Sequence, residues 1–239
     1  EKNPHKKNEA IPNRNIKCNL KAYQFANFIS VASQHVKESF LLHQYPENRI
    51  FVNPYGVDLS MFKPLPNIPK KYDVIMVGGW GYEKGCDLIV EAIRKTNYSF
   101  IHVGSIKDVD FPQEKNFTHI DPVDQSKLIE YYNQAKVFIL PSRQDGFGMV
   151  LSQALACNLP IIGSNNCGAP DLKKMVELPE YITIIKDYTA DAIVTAIHTA
   201  IKNYEQLGER IYAGNAIENL TWEAYGKRYA NFLHKIIKQ

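Results

Sequence analysis

The chain has 239 residues, 45% hydrophobic and 22% charged, an ordinary composition for a globular protein with one large domain or one domain plus part of another. A formal net charge of +3, with no long basic run, lacks the footprint of a nucleic-acid binder. No apolar run approaches the ~18 residues that a membrane span requires.

The first seventeen residues, with Lys2, Lys6, Lys7, Arg14 and Lys17, read as a polar tail. Leu20 to Ala26 suits a short helix, Asn27 to Ala32 a strand, and Ser33 the N-cap of a helix running to about Leu42. From Tyr72 onward strand and helix alternate. Strands are expected at Asp73–Val77, Ser99–Val103, Val137–Leu140, Pro160–Gly163 and Ile182–Ile185. Helices are expected at Cys86–Lys95, Gln125–Gln134, Met149–Cys157 and Thr189–Tyr204. Two more follow, at about Leu207–Asn219 and Trp222–Ile237, with Thr221 opening the last. Strands separated by helices predict an α/β fold, a Rossmann-like parallel sheet with helices on both faces. Ligands of such sheets bind beyond the C-terminal ends of the strands. The loops after Val77, Val103 and Leu140 all arrive there.

Two of those loops carry candidate chemistry. In the first, Gly78, Gly79 and Gly81 allow a phosphate to approach the backbone closely, and Lys84 offers an ammonium beside a helix start. In the other, Pro141-Ser142-Arg143-Gln144-Asp145-Gly146-Phe147-Gly148 turns from a strand into an apolar helix. The free N–H groups and positive dipole end of that helix suit a phosphate or a sugar oxygen. Asp145 sits at its rim, and Gln153 lies about two helical turns further on.

These residues resemble glycosyltransferase family 4, the group 1 glycosyl transferases of GT-B fold. The donor signature of that family is P-S-x-x-E-G-F-G-x-x-x-x-E-A-x-A-x-G-x-P-V-I. It is matched by Pro141-Ser142, Asp145 to Gly148, Gln153-Ala154 and Leu159 to Ile162. Val52 to Asp58 with Phe62 and Pro64 resembles the N-G-V-D-x-x-x-F-x-P stretch, and Val77-Gly78-Gly79 with Glu83 to Leu88 the G-R-x-x-x-x-K-G-x-D-x-L phosphate loop. The similarity runs over about residues 27 to 239. Several ordered segments together are specific where one would be weak. The chain departs from the pattern at three places: Gly79 stands where the family has arginine, and Asp145 and Gln153 stand where it has glutamates.

The resemblance implies a division of the chain. Residues 1–55 would be a polar segment and the last strand-helix unit of a largely missing acceptor domain, so the chain reads as a fragment or a truncated member. Residues 56–205 would be the donor domain, the C-terminal half of a GT-B fold, and 206–239 would be helices crossing back. The implied reaction moves a sugar from a UDP- or GDP-sugar to a hydroxyl of a glycan or lipid-linked acceptor, with retention, without a metal and with no other cofactor. Catalytic roles would fall to Lys84, on the diphosphate, and Asp145, on sugar hydroxyls. Donor-binding roles would fall to Gly78, Gly79, Gly104, Val123, Gly146, Phe147, Gly148, Met149, Val150 and, at the ribose, Gln153. The implied location is cytoplasmic, with peripheral contact at an inner membrane face left open. A nucleotide-sugar-binding module without turnover and a nucleotide-sugar epimerase of similar architecture are the rival readings.

Other residues have plainer readings. Cys18, Cys86, Cys157 and Cys167 have no zinc spacing and read as reduced thiols. The sequons at Asn97, Asn116 and Asn219 read as chance matches without a secretion signal. His102 reads as a core histidine, Asp171 as a helix cap and Asp58 as a cap on the turn to Phe62. Arg143 is a candidate replacement for the missing loop arginine.

Overall fold

The computed structural model describes residues 13–207 and 218–238. In chain order the elements are α1 (Asn13–Phe25), β1 (Ile29–Val31), α2 (Gln34–Leu42), β2 (Ile50–Val52), β3 (Tyr72–Val77), α3 (Cys86–Lys95), β4 (Phe100–Val103) and β5 (Phe117–Ile120). There follow α4 (Gln125–Gln134), β6 (Ala135–Leu140), α5 (Met149–Ala156), β7 (Ile161–Ser164), α6 (Ala169–Met175), β8 (Ile182–Ile185), α7 (Ala190–Leu207) and α8 (Trp222–Ile237). Most of the helix expected at 207–219 lies outside the described residues.

Strands β3 to β8 form one parallel sheet in the order β5-β4-β3-β6-β7-β8. Successive residues of a strand face opposite sides of a sheet, and in β3 Val74, Ile75, Met76 and Val77 are all buried. Both faces are therefore covered, as a parallel sheet requires. The chain enters in the middle at β3, winds outward through β4 and β5, then returns to β6 on β3's other side. Between β3 and β6 the winding direction reverses. The loops that leave those two strands part to opposite sides there and open a crevice, the place where open α/β sheets hold ligands.

Beside this sheet β1 and β2 pair in parallel, with Ile29 opposite Ile50 and Val31 opposite Val52. Helix α8 packs on them: Phe232 stacks on Phe51 with ring centroids 4.1 Å apart and meets Phe28 edge-on at 5.3 Å. Arg228 ties α8 to the same segment, donating to Asn53 Oδ1 and to the Pro54 carbonyl, each at 2.7 Å.

The structure departs from the sequence expectations at both ends of the burial scale. Helix α1 begins at Asn13, inside the segment expected to be a polar tail, and tertiary contacts are made at its C-terminal end. The Arg49 guanidinium donates to the Asn27 and Ala26 carbonyls, Tyr45 Oη donates to the Tyr23 carbonyl, and the Tyr23 ring meets Phe40. Strand β5 lies where the sequence pattern predicts none, because it is a short edge strand, half-exposed throughout, with no apolar run to mark it. Helix α6 starts at Ala169 with Pro170 in its first turn.

No helix among the described residues is long and apolar enough to cross a membrane. Cys18 is exposed, whereas Cys86, Cys157 and Cys167 are buried. Burial pushes the Cys86 and Cys157 thiols up to about 12, which suppresses the reactive thiolate. In native buffer a thiol reagent should therefore label Cys18 alone, the other three reacting only after denaturation. Rapid native labelling of a second cysteine, located by peptide mass spectrometry, would contradict this packing.

Candidate functional site

The two loops flanking the crevice meet through charge. Lys84 leaves the turn after β3, Asp145 the loop after β6, and Lys84 Nζ lies 2.6 Å from Asp145 Oδ2. Both side chains are about one-fifth exposed, so the pair is shielded but still reachable from solvent. The other carboxylate oxygen of Asp145 accepts from the Phe147 N–H at 3.2 Å. Gly85 makes the approach possible. At φ 75° it holds the left-handed conformation natural to glycine, and a side chain there would come within 2.3 Å of the Pro141 carbonyl oxygen.

The loop bearing Asp145 is held from behind by the loop after β7. Asp145 N–H donates to the Asn166 carbonyl at 2.9 Å, Asn166 Nδ2 donates to the Arg143 carbonyl at 2.9 Å, and Gly168 N–H donates to the Phe147 carbonyl at 2.7 Å. Gly148, at φ 76°, starts α5 with no side chain capping it. The N–H groups of its first turn thus face the crevice end of the helix. Gly146 has ordinary backbone geometry, and a side chain there would meet only Val36, at 3.9 Å, so this glycine keeps a cleft open and relieves no strain.

That cleft, about 460 Å³, lies between the β1–α2 unit and the Asp145 loop and is lined by Val36, Tyr55, Asp145, Gly146, Gly148 and Met149, among others. The β1–α2 unit is joined across it by two polar links. Ser33 Oγ donates to the Gly146 carbonyl at 2.6 Å while accepting from Val36 N–H as the N-cap of α2. Asp171 receives the Gln34 N–H on both oxygens, at 3.2 and 3.1 Å. Asp171 thus caps α2, a helix far away in sequence, and not the helix it belongs to. Burial pushes its carboxyl up, only partly opposed by the Gln34 N–H.

A second cavity, about 200 Å³, shares Met149 with the first and is lined by Gly56, Asp58, Gln125, Gln153 and Trp222, among others. Gln153 is buried, with its Oε1 accepting from the fully buried Tyr132 hydroxyl at 3.0 Å. Asp58, at this cavity's edge, caps its own turn by accepting from Ser60 and Met61 N–H groups.

Of the other candidates, Gly78 has φ 128° and open space where a side chain would stand. Gly104 has φ 150°, and a side chain would come within 2.0 Å of the Gly78 carbonyl oxygen, so only glycine lets the ends of β3 and β4 approach. The Phe147 ring is buried against Tyr55, leaving its backbone to shape the loop. Val123 and Val150 are half-buried against the core and line neither cavity. Arg143 is engaged with its neighbours: its guanidinium grips the Asp87 carboxylate at 2.6 and 2.8 Å, donates to the Tyr82 carbonyl and lies over the Tyr82 ring at 3.7 Å. It ties the two loops together. Asn166, Tyr132 and the cross-loop role of Ser33 left no mark in the sequence, because their partners are tertiary. Among the described residues, no three His, Cys, Asp or Glu side chains gather as a metal site.

The parallel six-stranded sheet with helices on both faces is a Rossmann-like α/β fold. The family profile described as "Glycosyl transferases group 1" matches residues 60–216, and the chain belongs to that family. It is 26% identical to a probable sucrose-phosphate synthase of Thermosipho melanesiensis over 90% of this chain and 56% of the relative. It is 23% identical to a GDP-mannose-dependent alpha-(1-6)-phosphatidylinositol monomannoside mannosyltransferase of Mycolicibacterium smegmatis over 87% of this chain and 62% of the relative. The chain therefore spans less than two thirds of either protein. Among solved structures it superposes on Anabaena HepE in complex with UDP with a TM-score of 0.76 at 16% identity, covering 95% of this chain and 69% of that one.

His102 is fully buried beside Trp80, and its Nε2 lies 2.8 Å from the Gly78 carbonyl oxygen. A carbonyl only accepts, so Nε2 carries the proton, and Nδ1 accepts from His119 Nδ1 at 3.0 Å. Burial pushes the His102 imidazolium down to about 4. The unfolded chain takes up this proton near pH 6.5, before the folded one does, so stability falls as pH drops from about 6.5 toward about 4. The loss should be on the order of 2–3 kcal/mol. Urea unfolding of wild type and His102→Gln across that range tests it. Parallel pH dependences in the two proteins would remove His102 as the cause.

Proposed function

We propose that this chain is the donor-binding part of a glycosyltransferase that moves a sugar from a nucleotide-sugar to an acceptor hydroxyl. The observation that carries the reading is the Lys84–Asp145 contact of 2.6 Å across the crevice, directly beside the uncapped start of α5. Group 1 family membership and similarity to a GDP-mannose-dependent enzyme and to a UDP complex support it.

In this reading the diphosphate lies between the open Gly78 backbone and the α5 N-terminus. Lys84 shifts from Asp145 onto the diphosphate and stabilises the negative charge that grows as the sugar leaves, an electrostatic task. Asp145, released from the ammonium, accepts from sugar hydroxyls. Gln153 reaches the ribose from the smaller cavity, with one Oε1 lone pair already committed to Tyr132. Met149, lining both cavities, separates the nucleotide side from the cleft below the β1–α2 unit, where the sugar and acceptor meet. Retention of configuration, a charge balance without metal, and a glycan or lipid-linked acceptor belong to the same proposal.

Binding of UDP or GDP to the native state alone should raise the melting temperature. Lys84→Ala should weaken the diphosphate that binds by about 1.5–3 kcal/mol, the range for a hydrogen bond to a charged group, and leave the matching nucleoside unaffected. Calorimetric titration measures both. Equal diphosphate affinity in a folded Lys84→Ala protein would reduce Lys84 to a partner of Asp145 and sink the assignment.

A further inference from the structure

Three cations stand on the loops after β3, β4 and β6: Lys84, Lys107 and Arg143. Lys84 is paired with Asp145, and Arg143 is held in a two-pronged bond by Asp87. Lys107 is exposed, and among the described residues its ammonium has no ion pair or hydrogen bond. An anion arriving at this crevice displaces no carboxylate to reach it.

Its position follows from the way two loops are stitched together. Trp80 N–H donates to the Ser105 carbonyl at 2.7 Å, and Lys107 N–H donates to the Trp80 carbonyl at 3.0 Å. The buried Trp80 ring anchors this short parallel bridge, and Asp108 Oδ1 accepts the Tyr82 N–H at 2.8 Å. The Lys107 side chain is thereby laid across Gly79. A Cβ on Gly79 would lie 2.4 Å from Lys107 Cε and 3.2 Å from its Nζ. Gly79 does not have the left-handed backbone that reserves a site for glycine. What its missing side chain leaves is room, and the lysine of the neighbouring loop fills it.

We infer that Lys107 binds the donor's diphosphate, replacing in space the cation that a residue at position 79 would otherwise supply. The inference rests on the donor-site reading above and adds to it a residue from a different loop. Positive charge is then delivered to the diphosphate from two loops, by Lys84 from the turn after β3 and by Lys107 from the loop after β4. Because Lys107 has no ion pair among the described residues, it carries more of the affinity for the ground-state diphosphate than its exposure suggests, whereas Lys84 must first leave Asp145.

The test is titration with UDP and GDP, and with uridine and guanosine as controls, of five proteins: wild type, Lys107→Ala, Lys107→Arg, Lys84→Ala and the double variant Gly79→Arg with Lys107→Ala. Lys107→Ala should lose about tenfold in affinity for the diphosphate that binds, a typical charge-assisted effect, with nucleoside binding unchanged. Lys107→Arg should retain most of the affinity. The double variant should recover most of the loss, since the arginine enters the space that the lysine vacated. The inference is overturned if Lys107→Ala binds within twofold of wild type while Lys84→Ala is weakened, a result that leaves the donor-site reading standing. Absence of any nucleoside-diphosphate binding by wild type would overturn both.

Discussion

The contact between Lys84 and Asp145 exists because β3 and β6, more than fifty residues apart in the chain, are neighbours at the centre of one parallel sheet. Each parallel strand needs a crossover helix, and the chain starts in the middle, so its two outward windings leave a gap at the C-terminal ends of β3 and β6. Backbone N–H groups, a helix start and two partly shielded charged side chains meet there without the protein having to break regular structure elsewhere. Glycines close the geometry. Gly85 and Gly104 allow backbone approaches of 2.3 Å and 2.0 Å from where a side chain would be. Substituting either would push the loops apart and move the charged groups, whatever chemistry they serve.

A rigid back wall supports the arrangement. The loop after β7 supplies Asn166 and Gly168, Arg143 draws in Asp87 and Tyr82, and the loop bearing Asp145 is left little freedom. The β1–α2 unit is attached more economically, through Ser33 and Asp171. Asp171 is the expensive member, a buried carboxylate whose protonation is favoured by desolvation and resisted mainly by one backbone N–H at the start of a helix. Such a link is strong when the helix end is in place and costly when it is not. The cleft beside Asp145 therefore has one wall built into the sheet and another attached through Ser33, Asp171 and the apolar contacts of Ala32 and Tyr55.

Much of this was legible in the sequence where a single residue dictates local structure. Ser33 caps α2 and Thr221 caps α8 as their types and positions suggest, and the apolar runs of β3, β6 and β8 locate the sheet. The glycine loops marked where a ligand could approach. What the sequence concealed depends on distant partners. The first turn and a half of α1 reads as part of a polar tail and only Leu20 to Ala26 as helix, and the groups that hold its C-terminal end, Tyr45 and Arg49, lie beyond α2 in the chain. Asp171 looked like a cap for its own helix, though Gln34 is 137 residues away. Arg143 was an apt replacement cation by position, yet the nearby Asp87 and the Tyr82 ring hold it, and only coordinates can show that competition.

The departures from the family pattern are best understood together in space. Considered as letters, a lost arginine at 79 and a lost glutamate at 153 look like two compensating charge changes. The geometry separates them. If Lys107 occupies the room above Gly79, positive charge has moved from one loop to the next and no net cation is missing, so nothing at 153 has to offset it. Gln153 then has its own cause. It is buried, and its Oε1 faces the hydroxyl of Tyr132, itself without exposure to water. A carboxylate at that position would keep the hydrogen bond but bury a charge with no cation among its bonded partners, at a cost of several kcal/mol. The amide keeps the bond without that penalty. Burial beside Tyr132 thus disfavours a charge at position 153, whereas the absence of a side chain at position 79 leaves the room in which Lys107 lies, so the two departures have separate structural settings.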